Sequence, residues 1–172
     1  MTEPDVKSTL RSLVFTDLVD STGLKTRVGD RRAGELIGRY QEHVRRLVKE
    51  REGREIDCAG DGFFLTFDAP SAAVTFALRL QETLQSEPEL GGVRVGINLG
   101  EVTERPAPPE SSKPILVEGL AVDLAARIES LAQPGQVLMS LPVFDASRQR
   151  LQDRGLEREV TWLAHGPYLF KG

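Results

Sequence analysis

Two aspartates interrupt apolar, strand-like segments, and they are the side chains best placed to do chemistry in this sequence. Asp17 lies near the end of the run LVFTDL, and Asp61 lies in the middle of AGDGFF. A carboxylate where apolar residues should continue is costly unless it is paired or bound to a metal. Because two neighbouring carboxylates repel each other, a divalent cation is their simplest common partner. The pair predicts a metal site between two strands, of the kind that holds a nucleoside triphosphate.

The surrounding sequence predicts the elements that must bring these aspartates together. Segments in which apolar residues recur every second residue or form short continuous runs alternate with segments in which they recur every three to four residues. Gly60-Asp61 is a typical two-residue hairpin turn between two apolar runs. We expect strands at 11–19, 54–58, 62–67, 91–101, 136–140, 157–164 and 167–171, and helices at 31–50, 71–85, 119–132 and 142–150, with a surface loop over 103–114. This order predicts an α/β (α+β) fold with a ferredoxin-like core and a mixed β-sheet flanked by helices. In that topology Asp17 and Asp61 are neighbours at one sheet edge.

Composition narrows the classes of function and the setting. A chain of 172 residues predicts one domain, here residues 11–172 after a polar tail at 1–10. The net charge of -4 argues against nucleic acid as the main partner. No run approaches the ~18 apolar residues of a membrane span, and the lone Cys58 fits a reducing, cytoplasmic compartment. Because the chain ends within the strand-like run 168–172, we expect it to be part of a longer protein with other domains.

Five segments in collinear order resemble the class III adenylyl/guanylyl cyclase catalytic domain. They are FTDLVDST (15–22), GDGF (60–63), VGINLGEV (95–102), GLAVDLAARI (119–128) and PGQVLMS (134–140). The resemblance implies a homodimer with active sites at the interface, in intracellular signalling. It implies conversion of a nucleoside triphosphate, GTP or ATP, to a 3′,5′-cyclic nucleotide and pyrophosphate. It also implies two divalent ions, Mg²⁺ or Mn²⁺.

Four positions match the catalytic machinery of that family. Asp17 and Asp61 match its metal ligands, and the backbone carbonyl of Leu18 matches a third ligand. Arg127 matches the arginine that the opposite protomer offers to the α-phosphate, where charge develops in the transition state. The structural alternatives are a capping Asp17, a turn-forming Asp61 and a helix-surface Arg127 in an ion pair.

Other positions depart from the family pattern or match it loosely. Asp57 stands where adenylyl cyclases carry a base-reading lysine and guanylyl cyclases a glutamate, and Leu116 stands at the second base-reading position. Asp123 replaces the asparagine that orients the ribose. Lys171 is similar to basic residues near the triphosphate, the alternative being an exposed strand lysine.

These departures lead to one expectation about the base and one rival function. Asp57 can accept hydrogen bonds from guanine but not donate to adenine N1, and Leu116 has no polar atom, so the sequence favours GTP over ATP. A strand register that turns Asp57 outward would remove this argument, and CTP or UTP is a further substrate to consider. The rival function is a catalytically impaired pseudo-cyclase that serves as a dimerisation or nucleotide-sensing regulatory module.

Overall fold

Two long antiparallel strands, β1 (Lys7–Leu18) and β4 (Val93–Pro106), form the centre of the sheet. The computed structural model describes residues 7–153 and 160–169. Within them the other strands are β2 (Arg54–Ala59), β3 (Gly62–Phe67), β5 (Ile115–Glu118) and β6 (Val137–Met139). The helices are α1 (Ser21–Val28), α2 (Asp30–Glu50), α3 (Pro70–Leu84), α4 (Leu120–Leu131) and α5 (Leu141–Asp153). The predicted mixed sheet flanked by helices is confirmed.

The strand order in the sheet is β2-β3-β1-β4-β5, and β6 pairs in parallel with β4. Side chains alternate between the two faces of each strand, so the register decides which residues can meet. We call the face that α4 covers the front face, and the face that α2, α3 and α5 cover the back face. Asp17 of β1 lies on the front face, two residues along the strand from Phe15, which stacks on Phe64 with ring centroids 4.6 Å apart.

The back face carries the larger core because three helices bury their apolar stripes against it. On α2 the stripe recurs every three to four residues, as an amphipathic helix requires, and Leu36, Tyr40 and Val44 are fully buried. α3 contributes Phe76, which packs on Phe67 of β3 at 5.3 Å between centroids. This core fixes the position of β1 and of the β2–β3 hairpin.

Helix α4 lies unusually close to the front of β4 because two glycines face it. A Cβ on Gly96 would lie 2.2 Å from the backbone nitrogen of Glu129, and one on Gly100 would lie 2.4 Å from Cβ of Ala121. Such separations leave no room for any side chain at either position. Asn98, buried between the two glycines, donates from Nδ2 to the carbonyl oxygen of Ala121 at 3.0 Å. The sequence VGINLG thus fixes the position of α4 on the sheet.

Three expectations about the strands were wrong. β1 begins at Lys7, within the expected tail, because its first residues pair with 101–104 of β4. β4 runs on to Pro106 and β5 returns to pair with it, so the expected loop over 103–114 shrinks to the β4–β5 connection, residues 107–114. The described residues 160–164 and 167–169 contain no strand, contrary to the expected strands there; the rest of both predicted strands lies outside the described residues.

Candidate active site

The β2–β3 hairpin places Asp61 beside the end of β1, where Asp17 lies. β2 ends at Ala59 and β3 begins at Gly62, so Gly60 and Asp61 form the two-residue turn, and Gly60 has the positive φ of 65° that it requires. The Cβ position of Gly62 lies 3.8 Å from Oδ1 of Asp17, so the hairpin meets Asp17 immediately after Asp61. Oδ2 of Asp61 is buried and has no hydrogen-bond partner. An unsatisfied buried carboxylate oxygen is unfavourable unless a cation completes its contacts.

Helix α2 holds this hairpin from behind the sheet. Gln41 donates from Nε2 to the carbonyl oxygen of Gly60 at 2.6 Å, which fixes the turn that carries Asp61. The Tyr40 hydroxyl lies 2.8 Å from Oγ1 of Thr16, the residue before Asp17, and burial raises the pKa of this phenol well above its ordinary value. Tyr40 is therefore a neutral structural group that links α2 to β1.

An arginine that the sequence analysis did not identify neutralises Asp17. Arg94 of β4 lies directly opposite Asp17 in the strand register and donates from Nη2 to Oδ2 of Asp17 at 2.5 Å. Nε of Arg94 lies 3.2 Å from Oε1 of Glu129 on α4. The hydrogen bond to Asp17 raises the pKa of Arg94, and Asp61 is close enough to reinforce that shift. Burial raises the pKa of Glu129, and the nearby Arg94 opposes this increase.

The donor set at the end of β1 and in the β2–β3 turn fits a divalent ion. Asp17, Asp61 and the carbonyl of Leu18 offer hard oxygen ligands, which Mg²⁺ and Mn²⁺ prefer. Within residues 7–153 and 160–169 no third acidic, histidine or cysteine side chain completes a metal-binding group. The remaining ligands would be phosphate oxygens and water, which is usual for Mg²⁺.

Arg127 and Asp123 lie one turn apart on the exposed side of α4. Successive residues of a helix are about 100° apart, so Arg127 points about 200° away from Glu129, the α4 residue that reaches Arg94. Arg127 therefore lies on the side of α4 opposite the residue that contacts the partner of Asp17. This is the arrangement expected if Arg127 serves a second copy.

Asp57 lies on the front face and has a partner that the sequence analysis missed. It is paired with Phe64 in the register, beyond a bulge at Ile56, and its Oδ2 lies 2.6 Å from Nζ of Lys113 in the β4–β5 connection. Both side chains are 38% exposed. The β4–β5 connection thus crosses the front face to reach β2, the strand at the opposite edge of the sheet.

The second expected base contact, Leu116, lies on β5. Leu116 is half-buried and lies between Ile115 and Val117, which pack against apolar residues on the front face, so its side chain points away from that face. Lys171 lies outside the described residues. The sequence did contain a signal for Arg94, the charged residue among the alternating non-apolar positions of VRVGIN, whereas nothing local pointed to Lys113.

Most of this chain is similar to proteins of known family. The family model described as the adenylate and guanylate cyclase catalytic domain matches residues 7–162. A protein of Streptomyces coelicolor named adenylate cyclase is 34% identical over 125 residues; the match covers 73% of this chain but only 31% of that protein. The chain spans about a third or less of the curated relatives it matches.

Solved structures show the same fold. The adenylyl cyclase CyaB from P. aeruginosa superposes with a TM-score of 0.78 at 18% identity, covering 84% of this chain and 83% of that chain. The catalytic core of a rhodopsin-guanylyl cyclase with converted specificity, in complex with ATPαS, superposes at 0.73 with 20% identity, covering 87% and 85%. The predicted resemblance is confirmed: the chain belongs to the adenylate and guanylate cyclase catalytic domain family.

Proposed function

We propose that this domain is a nucleotidyl cyclase that converts a nucleoside triphosphate to a 3′,5′-cyclic nucleotide and pyrophosphate between two copies of the chain. The observation that carries the proposal is the meeting of Asp17 with the hairpin of Asp61, whose buried Oδ2 lacks a partner. A purely structural domain gains nothing from such a group. Membership of the family supports the same reaction.

Asp17, Asp61 and the Leu18 carbonyl would hold two divalent ions, Mg²⁺ or Mn²⁺. When bound, such ions neutralise the triphosphate and lower the pKa of the ribose 3′-hydroxyl. The 3′-hydroxyl would lose its proton to solvent and bond to the α-phosphorus, and the bond from that phosphorus to pyrophosphate would break. Arg127 would donate hydrogen bonds to the α-phosphate oxygens as their charge grows, an interaction that strengthens in the transition state.

The orientation of α4 supports a homodimer. Glu129 contacts the Arg94 that pairs with Asp17, whereas Arg127 points to the other side of the helix. A second copy would place its Arg127 at the Asp17 and Asp61 of the first, and twofold symmetry would give two equivalent sites. Asp123, one turn from Arg127, would accept a hydrogen bond from the ribose.

The Asp57–Lys113 pair changes the expectation about the base. The preference for GTP assumed that nothing near Asp57 could donate a hydrogen bond, but Nζ of Lys113 lies 2.6 Å from it. Lys113 can donate to adenine N1 while Asp57 accepts from the N6 amino group. The same pair could also serve guanine O6 and N1. Because curated relatives at 28–34% identity are named adenylate cyclases, we take ATP as the substrate.

An impaired pseudo-cyclase remains the second candidate, and two observations favour it. Asp17 already has a cationic partner in Arg94, and Asp123 brings a negative charge to the ribose position. Such a module would bind nucleotide or dimerise without turnover.

Product formation from an equimolar mixture of ATP, GTP, CTP and UTP with Mn²⁺ separates the two candidates. We expect cyclic AMP from the wild type and from the control Asp145→Asn, which removes an exposed carboxylate on α5. Asp17→Asn, Asp61→Asn and Arg127→Ala should each lose activity by about a hundredfold or more. A wild type that binds Mn²⁺-ATP but forms no cyclic product would reject the cyclase in favour of the regulatory module.

A further inference from the structure

We infer that Arg94 competes with the divalent ion for Asp17 and so sets the metal affinity of the site. Glu129 is a positioning residue that governs how strongly Arg94 competes. The inference rests on the proposed role of Asp17 as a metal ligand. It adds two residues, one on β4 and one on α4, to which neither the family resemblance nor the expected site assigned a role.

The competition follows from which oxygen Arg94 occupies. Arg94 donates to Oδ2 of Asp17 at 2.5 Å, and the register places the two residues directly opposite each other. The contact therefore does not depend on a flexible loop. Charge-assisted hydrogen bonds of a guanidinium to a carboxylate are among the stronger polar contacts in proteins. A cation that coordinates Asp17 must displace this donor or share the carboxylate with it.

Glu129 forms a second ion pair with the same guanidinium, without the alignment of a hydrogen bond. Its Oε1 lies 3.2 Å from Nε of Arg94, and its side chain is only 14% exposed. The position of Glu129 is fixed because its backbone nitrogen lies directly over Gly96 of β4. Arg94 is therefore shared between two carboxylates, and when it leaves Asp17 it retains Glu129 as a partner. Loss of Glu129 would leave Arg94 wholly to Asp17.

Titration of Mn²⁺ alone, with free Mn²⁺ measured by electron paramagnetic resonance, tests the inference without relying on activity. Arg94→Gln should bind Mn²⁺ about three- to tenfold more tightly than wild type, because the competing donor is gone. Glu129→Gln should bind it about two- to fivefold more weakly. As a matched control, Arg45→Gln removes an arginine near the hairpin that pairs with Glu55 and not with Asp17, and should change little.

A double-mutant cycle separates positioning from a general effect of charge. If Glu129 acts through Arg94, then Glu129→Gln has no effect on Mn²⁺ affinity in the Arg94→Gln background. An effect of Glu129→Gln that persists there would overturn its positioning role. Equal Mn²⁺ affinity of wild type and Arg94→Gln would overturn the competition itself.

Mn²⁺ titration of the variant Asp17→Asn distinguishes failure of this inference from failure of the proposed function. Asp17→Asn should weaken Mn²⁺ binding strongly if Asp17 is a metal ligand. If Asp17→Asn binds as the wild type does, the metal site itself is wrong. If Asp17→Asn fails to bind while Arg94→Gln is unchanged, the metal site stands and only the role of Arg94 is rejected.

Discussion

At the scale of single residues, the candidate site combines two predicted carboxylates with two cations that were not predicted. Asp17 and Asp61 could be identified because each breaks an apolar run, and a buried charge needs a partner. Arg94 and Lys113 become visible only when the strand register and the β4–β5 connection are known. Both cations pair with a carboxylate of the expected site, so they alter its chemistry without changing its location.

The Asp57–Lys113 pair gives a prediction about base choice. Lys113→Ala should lower kcat/KM for ATP by about ten- to a hundredfold, because adenine N1 loses its donor and Asp57 loses its counter-ion. Asp57→Lys should shift selectivity the other way, towards ATP, because a lysine there can donate to adenine N1 but faces the N1–H and N2–H donors of guanine. Cyclic AMP and cyclic GMP formation at steady state measures both effects.

The exposed Lys49→Ala on α2 serves as a control and should leave selectivity unchanged. If the ratio of ATP to GTP turnover is the same in Lys113→Ala, in Asp57→Lys and in wild type, the pair does not read the base.

At the scale of secondary-structure elements, the close packing of α4 on β4 should be the most sensitive feature. A Cβ at Gly96 would lie 2.2 Å from the Glu129 backbone nitrogen, and backbone atoms have no alternative rotamer to adopt. Gly96→Ala should therefore lower the free energy of unfolding by about 1–3 kcal/mol and displace α4. Urea denaturation measures the first effect.

The matched control is Gly38→Ala on α2, where nothing lies within 4 Å of the Cβ position. An alanine there should stabilise the protein by about 0.5–1 kcal/mol, since glycine is a poor helix former. If Gly96→Ala proved as stable as wild type, the sheet would be able to release α4 without cost.

Glu104 links β4 to β1 and β2 through hydrogen bonds with two arginines. Glu104 is 8% exposed, and its carboxylate accepts hydrogen bonds from Nε of Arg11 at 2.7 Å and from Nη2 of Arg54 at 2.6 Å. The hydrogen bond from Arg11 lowers the pKa of Glu104 below its ordinary value of 4.5. A carboxyl group of this kind stabilises the fold above its unfolded pKa, and the contribution is lost as pH falls through the folded pKa.

We therefore expect Glu104→Gln to cost about 1–3 kcal/mol of unfolding free energy at neutral pH. The difference from wild type should shrink as the pH falls below 4.5, the ordinary pKa of the carboxyl group. Urea denaturation at neutral pH and below pH 4.5 measures this difference in unfolding free energy, with the exposed Glu110→Gln as the control. A difference that stays constant across pH would mean that the charge of Glu104 does not matter.

At the scale of the whole molecule, the sequence predicted the layered architecture better than its edges. The apolar strands and amphipathic α2 follow from local periodicity, which is why they were predicted correctly. β5, with the sequence ILVE, was missed because it is only four residues long and follows a proline-rich segment, so its pairing with β4 identifies it and its local pattern does not. No helix in the described part of the chain has the length and hydropathy to cross a membrane.

The last prediction concerns assembly and follows from the opposite directions of Glu129 and Arg127 on α4. If each site takes Asp17 and Asp61 from one copy and Arg127 from the other, two inactive variants can complement each other. In a random mixture of Asp17→Asn and Arg127→Ala chains, half of the dimers are mixed, and each mixed dimer has one intact site. Activity should therefore recover to about a quarter of the wild-type value.

The matched control is co-expression of Asp17→Asn with Asp61→Asn. Both changes lie in the same half of each site, so every site in a mixed dimer keeps one defect and no activity should return. Cyclic nucleotide formation by the unfractionated mixture gives the result, and different tags on the two chains show that mixed dimers are present. If the first mixture stays inactive while mixed dimers are present, Arg127 does not act on the partner, and the proposed arrangement of the active site is wrong.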